Sequence, residues 1–282
     1  MLERFLYDRR PLFSEFSFST LFMWNQPPGY RWQLFRDRLL IYSENLRALL
    51  LTPGDATGMD DLLALSNALI AQGRSGDMLF VPTQVVNENP ELQQWFECQV
   101  DRANADYIYL TESLAELKGR RLQKKRNLIH QFLNLYPDYR VSPLSTSHFT
   151  ECFRLAEKWC RGHTCQRMGY EHEFSALKRA FVHFSDLPLE GLLLEAGGQV
   201  AGFSIFSPLN DRTYIAHFEK ADSHVKGSAQ MINRETAKFL KPRAQYINRE
   251  QDLGLPGLRK AKLSYCPDMI LESFRLTRRP QT

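Results

Sequence analysis

Apolar and polar positions alternate along the last third of the chain, then give way to a helical repeat. Leu192–Ala196 and Gln199–Phe206 read as two strands joined by Gly197-Gly198. Glycine tolerates the positive φ angles of the tight turns that match strand twist. A second turn at Asn210-Asp211 leads into a third strand, Thr213–Phe218. The polar stretch HFEKADSHVKGSA follows, and Gly227-Ser228-Ala229 opens a helix that runs to Leu240. Earlier, Arg38–Tyr42 and Leu46–Thr52 read as strands around Ser43-Glu44-Asn45, and Pro53-Gly54-Asp55 ends the second. Leu62, Leu65, Leu69 and Ile70 recur at helical spacing within Met59–Ala71. Met78–Pro82 and Tyr107–Leu110 are expected as short buried strands, and Thr111 with Ser113 starts a helical run. Helices are expected over His148–Cys160, Phe174–Phe184 and Gly257–Leu263, with strands at Gln245–Asn248 and Met269–Leu276. Pro137 and Pro143 bracket an extended piece, Tyr139–Val141, which places a domain boundary between residues 1–140 and 141–282. Each half then runs helix, meander, helix, strand, helix. The expected fold class is α/β (α+β), with one architecture used twice.

Composition narrows the setting. The chain has 282 residues, of which 43% are apolar, enough for real cores. A net charge of +4 permits an anionic partner without requiring one. Cys98, Cys152, Cys160, Cys165 and Cys266 form an odd, irregular set, which reads as free thiols in a reducing cytoplasm. MLERFLYDRR has no apolar core and is not expected to be a signal peptide. No apolar run approaches the roughly 18 residues of a membrane span, so a lipid substrate would be met at a membrane surface. Cys160, His163 and Cys165 lack a second ligand pair at zinc spacing, and no metal site is expected.

Three segments carry candidate chemistry. KGRRLQKKR holds six cations between Lys118 and Arg126. In helical phase Leu122, Ile129, Leu133 and Tyr136 form an inner stripe. Arg120, Arg121 and Lys124 point away from it, Arg126 falls inside it and Lys125 flanks it. A cation at Arg126 needs a partner, either an internal carboxylate or an anionic substrate group. No base-reading motif accompanies the cations, so sequence-specific DNA binding is not expected. Along Thr213–Lys220, strict alternation puts Ile215, His217 and Glu219 on one face. Glu219 and Lys220 then stand where strand meets loop, and Glu219 is a candidate general base. The alternative is a structural ion pair, with His217 a packed core residue. The segment INREQDLGLPGLRKAKLSYCP gathers Arg249, Glu250, Asp252, Arg259, Lys260, Lys262 and Tyr265. Arg259 and Lys262, three apart on a helix, converge as anion ligands or join a local ion-pair network. Tyr265 is a candidate proton donor to a leaving group. The Gly227-Ser228 helix opening exposes N–H groups that suit a phosphate-bearing donor.

HVKGSA resembles the pyrophosphate loop of GNAT acetyltransferases, with His224 in the first place and Gly227 and Ala229 in the glycine and small-residue places. Together with YIYLTESLAELKGRRLQKKRNLIHQFLNLYPDY, AHFEKADSHVKGSAQMINRETAKFL and YINREQDLGLPGLRKAKLSYCPD, it makes the chain resemble the phosphatidylglycerol lysyltransferase C-terminal-domain family. The resemblance implies two tandem GNAT-like domains with mixed, largely antiparallel sheets flanked by helices, as in the Fem peptidyltransferases. It implies a free-standing member without the membrane portion of lipid-modifying relatives, which move an aminoacyl group from tRNA to a lipid hydroxyl. Lys125, Arg126, Glu219, Lys220, Asn233, Asn248, Asp252, Arg259 and Lys262 sit in the matching motifs.

The resulting expectation is an acyl or aminoacyl transferase acting on an amine or hydroxyl. Aminoacyl-tRNA or acyl-CoA would be the donor, no cofactor would be tightly bound, and an anionic lipid head group is a candidate partner. Glu219, Asp252 and Tyr265 would be catalytic. Lys125, Arg126, Lys220, Gly227, Ser228, Asn233, Asn248, Arg259 and Lys262 would hold the donor. The rival reading is a non-catalytic binding module for RNA, anionic lipid or protein.

Overall fold

The computed structural model describes residues 2–35, 38–52, 58–161 and 170–280, without the side chains of 159–161 and 170–172. The expected break at Pro53-Gly54-Asp55 and the Cys160, His163, Cys165 group lie outside what is described.

The first half runs α1 (Leu2–Asp8), α2 (Phe18–Met23), β1 (Tyr30–Phe35), β2 (Arg38–Ser43), β3 (Ala48–Leu50), α3 (Met59–Ala71), β4 (Asp77–Pro82), α4 (Thr83–Glu88) and β5 (Phe96–Val100). Then come β6 (Asp106–Leu110), α5 (Thr111–Glu116), α6 (Gln123–Leu135), β7 (Arg140–Pro143), α7 (Phe149–Arg161) and α8 (Tyr170–Val182). The rest is β8 (Glu190–Ala196), β9 (Gln199–Asn210), β10 (Thr213–Ala221), α9 (Ser228–Leu240), β11 (Tyr246–Asn248), α10 (Pro256–Leu263), β12 (Met269–Leu271) and β13 (Ser273–Arg278).

The strands build two mixed sheets, ordered β1-β2-β3-β4-β13-β5 and β12-β6-β11-β10-β9-β8-β7. Each holds an antiparallel meander, a helix crossover and a strand parallel to the meander's last member. In the first, β3 pairs parallel with β4 across α3. In the second, β10 pairs parallel with β11 across α9. The fold is thus two GNAT-like units, as the element order in each half predicts. The strand beyond the parallel pair comes each time from the other unit. β6, from the first half, inserts between β11 and β12, while β13, at the chain's end, inserts between β4 and β5. Sheet membership therefore crosses the division expected at residues 140 and 141. The strand expected as Met269–Leu276 breaks at Glu272, where the chain leaves one sheet for the other.

Both faces of the second sheet are covered. On one, α5, α6 and α9 bury Tyr107, Tyr109, Ile129, Phe132, Met231 and Ile232. On the other, α7 and α8 bury Leu155, Leu177, Leu193, Phe203 and Phe218. Gly227, the N-cap of α9, has φ +85°. A Cβ there would collide with the Leu128 carbonyl oxygen and lie 2.9 Å from Phe132 Cβ. Glycine is what lets α6 pack against the opening of α9.

The basic segment is shorter as a helix than its phase suggests. Leu117 is left-handed and Gly119 has φ +87°, so Lys118–Arg121 lie in a turn and α6 begins at Gln123. Leu122, Ile129 and Phe132 are buried.

Candidate active site

The site lies where β10 and β11 part. Their parallel pairing covers Thr213–Ile215 and Tyr246–Asn248. Beyond it β10 continues to Ala221, while the segment after β11 turns away through Arg249–Gly254. A register shift between Ala216 and Phe218 reverses the facing of β10. Before it, Tyr214 and Ala216 pack on the α9 side. After it, Ala221 does so, and Glu219 bonds Asn233 of α9. Phe218 joins the core under α7 and α8, and Lys220 pairs with Glu173 of α8 at 2.7 Å. Strict alternation, with Ile215, His217 and Glu219 on one face, holds only as far as this bulge.

Glu219 bridges the gap. Its Oε2 accepts from Asn233 Nδ2 at 3.0 Å and its Oε1 from Arg249 Nη2 at 2.8 Å. The Arg249 guanidinium lies over Tyr265 at 4.9 Å and near Tyr109 at 5.6 Å. Lys125, from α6, stands over the same Tyr265 ring at 4.1 Å. Burial works against the charge on Arg249, but Glu219, Tyr109 and Tyr265 outweigh it and keep the guanidinium charged. Burial, with Arg249 close by, lowers the Lys125 ammonium from its usual range. Burial pushes the Tyr265 hydroxyl up to about 12, so it is protonated at neutral pH. Two cations thus share one ring, and Glu219 pairs with Arg249.

Four of the expected residues, Lys125, Glu219, Asn233 and Tyr265, meet here. Arg249, which the sequence places only in a charged cluster, completes the group. Its signal was its place directly after the strand that pairs with β10.

The others have different partners. Asp252 is fully buried and accepts from Arg259 Nε at 2.7 Å and Nη2 at 3.0 Å, Arg102 at 3.2 Å, Tyr107 Oη at 2.5 Å and the Gly254 amide at 2.8 Å. Burial alone would raise its pKa, yet these bonds, Arg259 foremost, hold it down at about 2. A carboxylate so engaged is a structural anion, and Arg259 is its counterion. Lys262 Nζ donates to the carbonyls of Arg249, Glu250 and Gln251 at 2.5, 2.9 and 2.5 Å, and burial lowers it to about 8. Asn248 Nδ2 bonds Asp106 at 2.7 Å, and its Oδ1 accepts the Glu250 amide at 2.8 Å. Asp252, Arg259, Lys262 and Asn248 therefore shape the Arg249–Gly254 loop, whose Glu250 and Leu253 sit at φ 55° and 53°. They present Arg249 rather than line the gap themselves.

Arg126 takes backbone carbonyls, not a carboxylate: it bonds Leu117 O and, at 2.7 Å, Gly119 O, closing the turn before α6. Gly227 and Ser228 are buried, and Ser228 Oγ donates to Asp222 O at 2.8 Å. Packing and turn closure account for both.

A second polar cluster lies where the N-terminal segment meets β6, β10 and the 249–251 loop. Asp106 accepts from the Ser14 amide at 2.6 Å and from Gln251 at 2.7 Å. Burial raises it to about 6. Burial, with Asp106 and Glu250 near, raises Glu15 to about 7 against its bond from Tyr30. His217 is buried between Ser207 Oγ at 2.7 Å and Glu250 Oε1 at 3.1 Å. It is a packed, doubly bonded core histidine.

The model of the family described as phosphatidylglycerol lysyltransferase, C-terminal, matches residues 7–277. A conserved protein of unknown function from Bacteroides thetaiotaomicron is 34% identical, with 98% of this chain and 96% of that one covered and a TM-score of 0.85. L-PGS from Bacillus licheniformis is 11% identical, with 90% and 85% covered and a TM-score of 0.61. FemX is 8% identical, with 99% and 95% covered and a TM-score of 0.66. The last two likenesses are of fold. Among the described residues, no helix is long and apolar enough to cross a membrane.

Proposed function

Because the chain belongs to the phosphatidylglycerol lysyltransferase C-terminal family, we propose that it moves an activated acyl or aminoacyl group to an amine or hydroxyl, at the gap between β10 and β11. The observation that carries this reading is the excess of positive charge there. Lys125 and Arg249 face one Tyr265 ring, and Glu219 is the carboxylate paired with Arg249. Attack on an acyl carbonyl creates an oxyanion, and fixed cations in a partly desolvated pocket stabilise it most where they need not reorganise. The nucleophile would attack the carbonyl carbon directly. Tyr265, protonated at neutral pH, would give its proton to the leaving oxygen and recover one from the incoming amine or hydroxyl. Positioning both substrates would supply much of the rate.

Aminoacyl-tRNA is favoured over acyl-CoA as donor, because Gly227 at the opening of α9 is closed against Leu128 and Phe132. The Cβ side of Gly227 at that opening lies against α6, which narrows the approach for a CoA pyrophosphate. A cytoplasmic setting and an acceptor on an anionic lipid head group belong to the same proposal.

The test is transfer of a labelled acyl group by the purified chain. Aminoacyl-tRNA and acetyl-CoA are the donors; phosphatidylglycerol vesicles and free amines are the acceptors. Turnover from aminoacyl-tRNA is expected. Tyr265→Phe is expected to lower kcat on the order of 10²-fold, and Lys125→Ala to lower kcat/KM by about 10–100-fold. Binding of tRNA or vesicles without turnover would instead assign a non-catalytic module.

A further inference from the structure

We infer that Asn233 and Arg249 form a two-point clamp for a group presenting a carbonyl oxygen beside an N–H, and that Glu219 positions this clamp rather than serving as base. The inference rests on the transfer reading above and gives its residues their roles.

Both Glu219 oxygens are engaged, Oε2 by Asn233 Nδ2 and Oε1 by Arg249 Nη2. Both oxygens are thus turned to the two side chains they hold, Asn233 and Arg249. Each partner uses only one end of its planar group. The other ends, Asn233 Oδ1 and Arg249 Nη1, are buried and have no protein partner among the described residues. Asn233 is 3% exposed. Buried polar atoms in folded proteins are nearly always paired, and each orphan costs free energy. Two orphans on the same carboxylate-held trio mark a place that something else completes.

The chemistry of the two atoms fixes what that is. Asn Oδ1 only accepts hydrogen bonds and Arg Nη1 only donates. The occupant must offer a donor to one and an acceptor to the other. Glu219, bonded to the same amide, makes the Asn233 end favourable for an N–H or ammonium. Arg249 and nearby Lys125 make the other end favourable for a carbonyl oxygen. An α-amino carbonyl and a peptide amide both meet this description. Tyr265 and Tyr109 hold the plane of the guanidinium. Lys262 holds the backbone carbonyl of Arg249, so the clamp is set before a ligand arrives.

Titration of the isotope-labelled full chain, followed by NMR, tests the clamp with three fragments. Alanine methyl ester carries carbonyl and ammonium, N-methylpropanamide carries carbonyl and amide N–H, and methyl propanoate carries the carbonyl alone. At least one of the first two is expected to bind on the order of tenfold more tightly than methyl propanoate. The tighter of them identifies the source of the N–H. Asn233→Ala should erase that preference. Arg249→Lys keeps a cation for Glu219 but loses the second donor, and should weaken all three with little change in Tm. In the transfer assay, Glu219→Gln should raise KM while the pH profile of kcat keeps its shape. Three fragments bound alike by the wild type, water being the sole occupant, would overturn the clamp and leave the transfer reading standing. So would an Arg249→Lys protein that binds as the wild type does. Loss of the acid limb of the profile in Glu219→Gln would make Glu219 the base and overturn its positioning role. No response to any fragment or to an acyl donor would overturn both readings.

Discussion

Gly227 is where one missing methyl group decides how two helices meet. Its φ of +85° and the nearness of Leu128 and Phe132 leave no room for a side chain. Gly227→Ala is expected to destabilise the protein by about 2–4 kcal/mol, from backbone strain and overpacking together. Chemical denaturation should show a lower midpoint with an unchanged slope. Asp252→Asn leaves Arg259 and Arg102 without their buried counter-charge. A loss of about 1–3 kcal/mol is expected in the same experiment, because the buried Tyr107 hydroxyl loses its carboxylate acceptor while both guanidiniums stay partly exposed. Glu15 gives a pH signature. Burial raises its folded pKa from 4.5 to about 7, so between these values the folded state holds the proton more tightly than the unfolded chain. Stability from this group is present below 4.5 and is lost as pH rises through about 7. Asp106, raised to about 6, adds a slope of the same sign. Glu15→Gln stays neutral throughout. Its Tm should match the wild type near pH 4 and exceed it at pH 8 by roughly 2–4 °C. At this scale the sequence made residue types legible and left their partners open. Asp252, Arg259 and Lys262 were visible as a charged cluster. Nothing in their spacing says that Asp252 answers Arg102 and Tyr107 from 150 and 145 positions away.

Elements were readable where a turn and a burial pattern agreed. The meander β8–β10 and helix α9 follow directly from Gly197-Gly198, Asn210-Asp211 and the helical repeat after Gly227. β1 left no such mark, because it stands at the sheet edge with Trp32, Leu34 and Phe35 exposed and no buried face to pattern. The bulge in β10 was equally invisible, since one extra residue changes facing without changing composition. Met269–Leu276 looked like one strand because both of its parts are apolar. The change of sheet at Glu272 depends on partners far away in sequence. Leu276 shows the result: it is fully buried against Val81 and Phe96, although it lies near the chain's end. Leu276→Ala is expected to cost about 2–5 kcal/mol, measured by denaturant titration. A terminal strand that merely covered the surface would lose far less.

The two units are tied by exchange, β6 in one direction and β13 in the other. Neither sheet is complete without a strand from the other half. Calorimetry is expected to show one cooperative transition, with matching van't Hoff and calorimetric enthalpies, and not two. The repeated architecture was legible as a repeated element order. The exchange was not, because β6 and β13 look like any strand of their own half. It also sets an order of assembly during synthesis. The second sheet can close once β12 has emerged, since β6 is already waiting. The first sheet cannot, because β4 and β5 flank a place that only Ser273–Arg278 fills. Until Ser273–Arg278 leave the ribosome, the earliest-made sheet carries two bare edges at its centre, open to pairing with any neighbouring nascent chain. A chain cut before Ser273 would therefore harm the part of the protein that was translated first.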